Sequence, residues 1–178
     1  MFLNSYLKSK KSEKILLDNF YSKIVTVSRD KIFYKKMNVP DTLDGRFDLL
    51  ILFSIITIFF LSKFDYKGRT YAQSLFDKIF LDLDLTLREL GAGDAGVRIK
   101  IKSMINSYMG RQKAYCLCFE ENNYELLKKT IINNVYRNVK DFNDSPTYLT
   151  NYCIKILKIF NKKPEKFFFD DEFNFPKL

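Results

Sequence analysis

Val39-Pro40-Asp41-Thr42-Leu43-Asp44-Gly45-Arg46-Phe47-Asp48 leads without a break into an apolar run from Leu49 to Leu61. Proline ends whatever precedes it, and the aspartates fall where a helix N-terminus carries the positive end of its dipole. The stretch therefore reads as a helix start near Asp41 to Asp44, with the helix continuing to about Phe64. Only Ser54 and Thr57 interrupt the run. A helix that is apolar nearly all round has no solvent face and belongs at the centre of a bundle. The run spans 13 residues between Asp48 and the lysine at 63, short of the roughly 20 that a bilayer crossing needs. A buried core helix is the expectation, with shallow membrane association left open.

Helical spacing continues outward in both directions. Ile15, Leu16, Phe20 and Ile24 form one stripe of a first helix over Ser12 to Val27, and Asp30 to Met37 gives a short helical turn. Beyond the central helix, Ala72, Leu75, Ile79, Leu83, Leu87 and Leu90 repeat at threes and fours. They predict a third helix from about Thr70 to Leu90, closed by Gly91. Val97, Ile101, Met104 and Tyr108 define a fourth over Ala95 to Cys118; Leu127, Ile131 and Val135 define a fifth over Asn123 to Asn138. Ser145 is placed to cap a sixth, with Pro146 at its first position and an end near Asn161. The predicted fold class is all-α, a single-domain bundle of about six helices around a largely apolar second helix. Its parts are a basic N-terminal extension with the start of the first helix (1–19), a helical domain (20–163) and an acidic-aromatic tail (164–178). The tail is expected to dock its phenylalanines onto its own bundle, the alternative being a binding peptide.

Composition limits the chemistry. The chain of 178 residues has 47% hydrophobic and 16% aromatic residues, enough for a real core. It contains no His, so no Ser-His-Asp or Cys-His pair and no His metal site can form. Cys116, Cys118 and Cys153 lack the spacing of a zinc or redox motif and are expected as buried thiols in a reducing compartment. The N-terminus shows no export signal pattern. Gly91-Ala92-Gly93-Asp94-Ala95-Gly96 fits Gly-x-Gly-x-x-Gly, but it follows a helix rather than the strand a dinucleotide site requires. Its glycines read instead as a tight turn with left-handed backbone, and Asp94 as a cap for the next helix. Asp82 and Asp84 are two apart and point about 200° from each other on a helix. Asp41, Asp44 and Gly45 lack calcium-loop spacing. No catalytic residue, cofactor, metal or small-molecule substrate is expected; the protein reads as a non-enzyme.

The order of the motifs carries a resemblance. Tyr21-Ser22-Lys23-Ile24-Val25, Phe33-Tyr34 and Val39-Pro40-Asp41-Thr42 come first. Ala72-Gln73-Ser74-Leu75-Phe76-Asp77, Asp82-Leu83-Asp84 and Leu87-Arg88-Glu89-Leu90-Gly91 follow. Gly93-Asp94, Val97, Lys102-Ser103-Met104, Gly110-Arg111, Ala114-Tyr115 and Asn134-Val135-Tyr136 complete it. Over roughly residues 20 to 136 the chain resembles the ubiquinol–cytochrome c chaperone family, with Phe53 where that pattern has a His. The resemblance implies an assembly chaperone for the cytochrome bc1 complex that binds newly synthesised (nascent) cytochrome b, directly or at the ribosome, before haem acquisition and assembly are complete. It also raises a small partner protein, whose need here stays open. A bacterial cytoplasmic location, peripheral at the inner membrane, is expected, or the mitochondrial matrix side in a eukaryote.

Net charge is +9 and uneven: +6 over residues 1–40, zero over 41–121, +5 over 122–164 and −2 over 165–178. Basic flanks suit an anionic membrane surface or nucleic-acid phosphates. A ribosome- or RNA-associated binding module is thus the alternative to the bc1 reading, and solvated lysine faces are the plainer account of the charge. The candidate partner-binding residues are Asp41, Asp44, Arg46, Asp48, Arg69, Asp77, Arg88, Asp94 and Arg111, with Asp84 beside them. Guanidinium groups suit carboxylates geometrically. Two roles remain open for these residues: salt bridges stapling the second helix to the third and fourth, or a surface gripping a partner.

Overall fold

The computed structural model describes residues 2–170 and 172–178, with side-chain surroundings given from residue 11 onward. Most of the expected basic extension, including the lysines at 8 and 10, and Asp171 of the tail lie outside the described side chains. Eight helices and no strand occur among the described residues. They are α1 (Phe2–Ser28), α2 (Lys31–Lys35), α3 (Leu43–Ser62), α4 (Tyr66–Glu89), α5 (Asp94–Glu120), α6 (Tyr124–Val135), α7 (Ser145–Phe160) and α8 (Glu165–Phe168).

The central helix forms where its residues require. Thr42 Oγ1 accepts from the Gly45 amide at 3.2 Å and caps α3. From Leu49 to Leu61 every residue but Leu50 is buried, and α3 packs against α1, α4, α5 and α6. By length and composition α3 could cross a membrane, but its apolar surface is already covered by protein. Inside the bundle the hydroxyls of Ser54 and Thr57 donate to the Ile51 and Phe53 carbonyls, which satisfies them without a second helix. Phe53 is fully buried, with its ring 5.4 to 6.0 Å from Phe33, Phe175 and Tyr152. The position that departs from the family pattern is packed core.

Several boundaries differ from the sequence reading: α1 begins at Phe2, ten residues before the predicted start, α6 ends at Val135 rather than Asn138, and three more helix starts are set by local contacts. α4 begins at Tyr66, four residues before the predicted start, because Asp65 Oδ1 accepts from the Lys67 amide and turns the assumed linker into a first turn. This brings Gly68 so close to α3 that a Cβ there would lie 2.3 Å from the Leu61 carbonyl oxygen. Asp94 is the first residue of α5 rather than its cap; Gly93 holds the cap position, and the Asp94 carboxylate meets Arg88 instead. Only Gly91 in that turn is left-handed, at φ +86°. Ser145 is likewise inside α7, behind Asp144, and its hydroxyl accepts from the Asn38 side-chain amide at 3.1 Å.

The tail returns to the core. Phe167, Phe168 and Phe173 are buried among Phe20, Phe60 and Phe160, with ring centroids 5.2 to 5.9 Å apart. Tyr152 and Lys155 of α7 fix its end by donating to the carbonyls of Pro176 and Lys177. The short α8 within it was not anticipated.

A pair of glycine substitutions tests the α3–α4 approach. Gly68→Ala is expected to lower unfolding free energy by about 1–3 kcal/mol, because backbone cannot yield as a flexible side chain can. Gly96→Ala, inside α5 with nothing within 4 Å of the added methyl, is expected to raise it by about 0.5–1 kcal/mol. Urea unfolding of both variants reads the difference; equal effects would mean the close approach is absent in solution.

Candidate functional site

The decapeptide lies at one end of the bundle, where α1, α3, α4 and α5 diverge. Its local geometry is tight: a Cβ on Gly45 would sit 2.0 Å from the Pro40 carbonyl oxygen. Only glycine lets the chain double back there. Segments far along the sequence clamp it. Tyr136 donates its hydroxyl to the Met37 carbonyl at 2.6 Å, and Asn38 reaches Ser145.

Behind this corner sits a buried charge triad. Asp48, on the second turn of α3, is 3% exposed in its side chain. Arg111 Nη2 of α5 lies 2.8 Å from Oδ1, and Arg137 Nη1, just past α6, lies 2.6 Å from Oδ2. Arg137 Nη1 also donates to the Asn134 carbonyl, and its other terminal nitrogen is 3.8 Å from Asp44. Burial pushes the Asp48 carboxyl above the usual range, and the two guanidiniums pull it back in part. Arg111 is 12% exposed, stacks its guanidinium 5.6 Å from the Phe47 ring centroid, and has Nε and Nη1 buried with no hydrogen-bond partner among the described residues.

A cleft of about 440 Å³ opens in front of the triad. Val25, Phe47, Leu50, Leu83, Leu87 and Met104 give it an apolar lining. Leu43 and Leu90, 53% and 68% exposed, stand among its lining residues as uncovered apolar side chains. Its polar lining includes Arg29, Arg46, Lys100, Arg111 and Arg137 against two carboxylates, Asp44 and Asp82. The Asp82 carboxylate already accepts the Tyr21 hydroxyl.

The candidate residues divide accordingly. Asp44, Arg46 and Arg111 line the cleft; Asp48 lies behind it, and Asp41 pairs with Arg46 at 2.7 Å on the surface. Arg88 bridges Asp84, at 2.6 Å, and Asp94, so this group closes the α4–α5 turn. Arg69 is exposed on α4, and Asp77 accepts from Gln73 at 2.8 Å; neither lines the cleft. Sequence reasoning missed Arg137, Arg29 and Lys100. Arg137 directly follows the quoted Asn134-Val135-Tyr136, but no spacing rule links it to a carboxylate 89 positions earlier. Cys118 and Cys153 are buried as expected, whereas Cys116 is only half-buried; burial raises all three thiols, Cys116 up to about 11 and Cys153 up to about 12, which favours the protonated form at neutral pH.

Comparison with known proteins places this geometry in context. A family model described as Ubiquinol-cytochrome C chaperone matches residues 35–175. The match starts later than the resemblance read from the sequence and extends further, through α7 into the tail. It takes in Asp48, Arg111 and Arg137 together. The crystal structure of the Cbp3 homolog from Brucella abortus is similar at 25% sequence identity, covering 99% of this chain and 97% of that one with a TM-score of 0.88. No curated protein sequence matches the chain.

Proposed function

This chain belongs to the ubiquinol–cytochrome c chaperone family, and on that premise we propose that it serves cytochrome bc1 assembly by holding newly synthesised cytochrome b. The observation that carries the reading is the cleft with exposed Leu43 and Leu90. A soluble chaperone for a membrane protein must offer apolar surface to a helix that has no lipid around it yet, and uncovered large apolar side chains mark such surfaces. The triad contributes by holding the α3 start against α5 and the end of α6, so the cleft walls keep their spacing. The Asp41–Asp48 segment supplies one rim, with Asp44 and Arg46 at the contact. Association with the ribosome or the inner-membrane surface through the basic flanks, in a bacterial cytoplasm, belongs to the same reading.

The test is capture of newly synthesised cytochrome b by the purified chain. The double variant Asp44→Ala/Arg46→Ala and the single variant Leu90→Asp alter exposed side chains, and circular dichroism checks that both stay folded. Capture is expected to fall to a small fraction of wild type in each. Undiminished capture by both folded variants would remove the cleft from the client-binding reading.

A further inference from the structure

The polar lining of the cleft does chemistry that an apolar client alone does not require. Cations outnumber carboxylates among its lining residues, and the imbalance is sharpened by partnering. Arg46 is paired with Asp41, Arg137 with Asp48 and, more loosely, Asp44, and Asp82 is taken by Tyr21. Arg29 and Lys100 have no carboxylate at ion-pair distance among the described residues, and both line the cleft, Arg29 just past α1 and Lys100 on the second turn of α5. Together they leave the cleft with uncompensated positive charge beside its apolar lining, which favours an anion there over a neutral hydrocarbon. The rest of the lining is apolar, and a volume of about 440 Å³ falls within the usual span of small-molecule sites, about 300–1,000 Å³.

We propose that the cleft binds a single-chain anionic amphiphile of the fatty-acid class. Its carboxylate lies toward Lys100 and Arg29, and its alkyl chain lies along Leu83, Leu87 and Met104. The complementarity is that of the lining itself: unpaired cations beside an apolar wall. The inference rests on the cleft's chemistry and not on the client, so it stands or falls in the absence of cytochrome b.

Calorimetric titration of the purified chain with laurate, below its micellar concentration, tests this; dodecanol is the neutral comparison. Saturable 1:1 binding of laurate is expected, about tenfold or more tighter than dodecanol, since one partly screened charge contact is worth roughly that factor. Arg29→Glu/Lys100→Glu, both exposed, is expected to weaken laurate by about tenfold or more while leaving dodecanol unchanged. Ser103→Trp, which places an indole in the cleft from an exposed position, is expected to abolish both, with thermal melting confirming the fold. Equal affinity for laurate and dodecanol, or laurate binding unaffected by the charge reversals, would overturn the proposal by showing only a greasy surface. Failure to bind either ligand would overturn it too. Retained capture of cytochrome b alongside any of these outcomes would leave the chaperone reading intact.

Discussion

Arg111→Met is expected to lower the unfolding free energy by about 3–5 kcal/mol near neutral pH, because it strands a carboxylate inside the bundle. Asp48 keeps one counterion, Arg137, but that side chain is one-third exposed and reaches only Oδ2. The loss should depend on pH in a definite direction. In the native state the Asp48 carboxyl is already raised by burial, and Arg111 is the larger of the two charges holding it down. Removing Arg111 raises it further. A native state that binds its proton more tightly than the unfolded chain is favoured at low pH and loses that advantage as pH rises through the native value. The deficit of the variant should therefore be full at about pH 8 and shrink as pH falls toward the ordinary carboxylate range, about 4. Urea unfolding of wild type and variant across that range measures it. A pH-independent deficit would assign the loss to packing. Asp48→Leu combined with Arg111→Met should recover part of the stability: no carboxylate is then stranded, and Arg137, which loses Asp48, is one-third exposed and keeps Asp44 at 3.8 Å.

Phe173→Ala should be comparably damaging, at about 3–5 kcal/mol, although it lies in the tail. Its ring is fully buried, with centroids 5.2 to 6.0 Å from those of Phe20, Phe160, Phe167, Phe168 and Phe175. Truncation leaves a cavity between α1, α7 and α8, lined by the rings that packed on Phe173. For a chain of this length the shift in melting temperature is on the order of 10 °C. Ending the chain after Lys163 should be worse, because it exposes the α3 and α7 faces that these rings cover. Increased binding of a hydrophobic dye would report that exposure. A truncated chain melting like wild type would show the tail to be an appendage.

The two variants mark where sequence reading reached and where it stopped. Periodicity placed the helices because burial selects apolar residues at the helical repeat, a property of consecutive positions. Leu49 to Leu61 announced a central helix for the same reason, and the phenylalanines of the tail announced that something would cover them. The end at which they docked was not legible. Caps were less secure: Ser145 and Asp94 have the right chemistry for helix starts, but each found a partner elsewhere, Asn38 and Arg88, and a neighbour took the cap position.

The candidate site divides in the same way. Asp48, Arg111 and the Asp41–Arg46 segment were singled out by residue type and by the order of motifs. Arg137 was not, and with it the triad, because an ion pair depends on distance in space and leaves no mark on spacing along the chain. The cleft itself was beyond reach of the sequence, since its walls come from residues of α1 to α5 and from Arg137, which only tertiary packing brings together. By itself, then, the sequence determined an all-α chain, a buried apolar α3 and a family. The tertiary structure decided which charges are buried together and which remain unpaired at the cleft. Burial and charge pairing are set by the neighbours that folding brings within a few ångströms, and those neighbours lie tens of residues away along the chain.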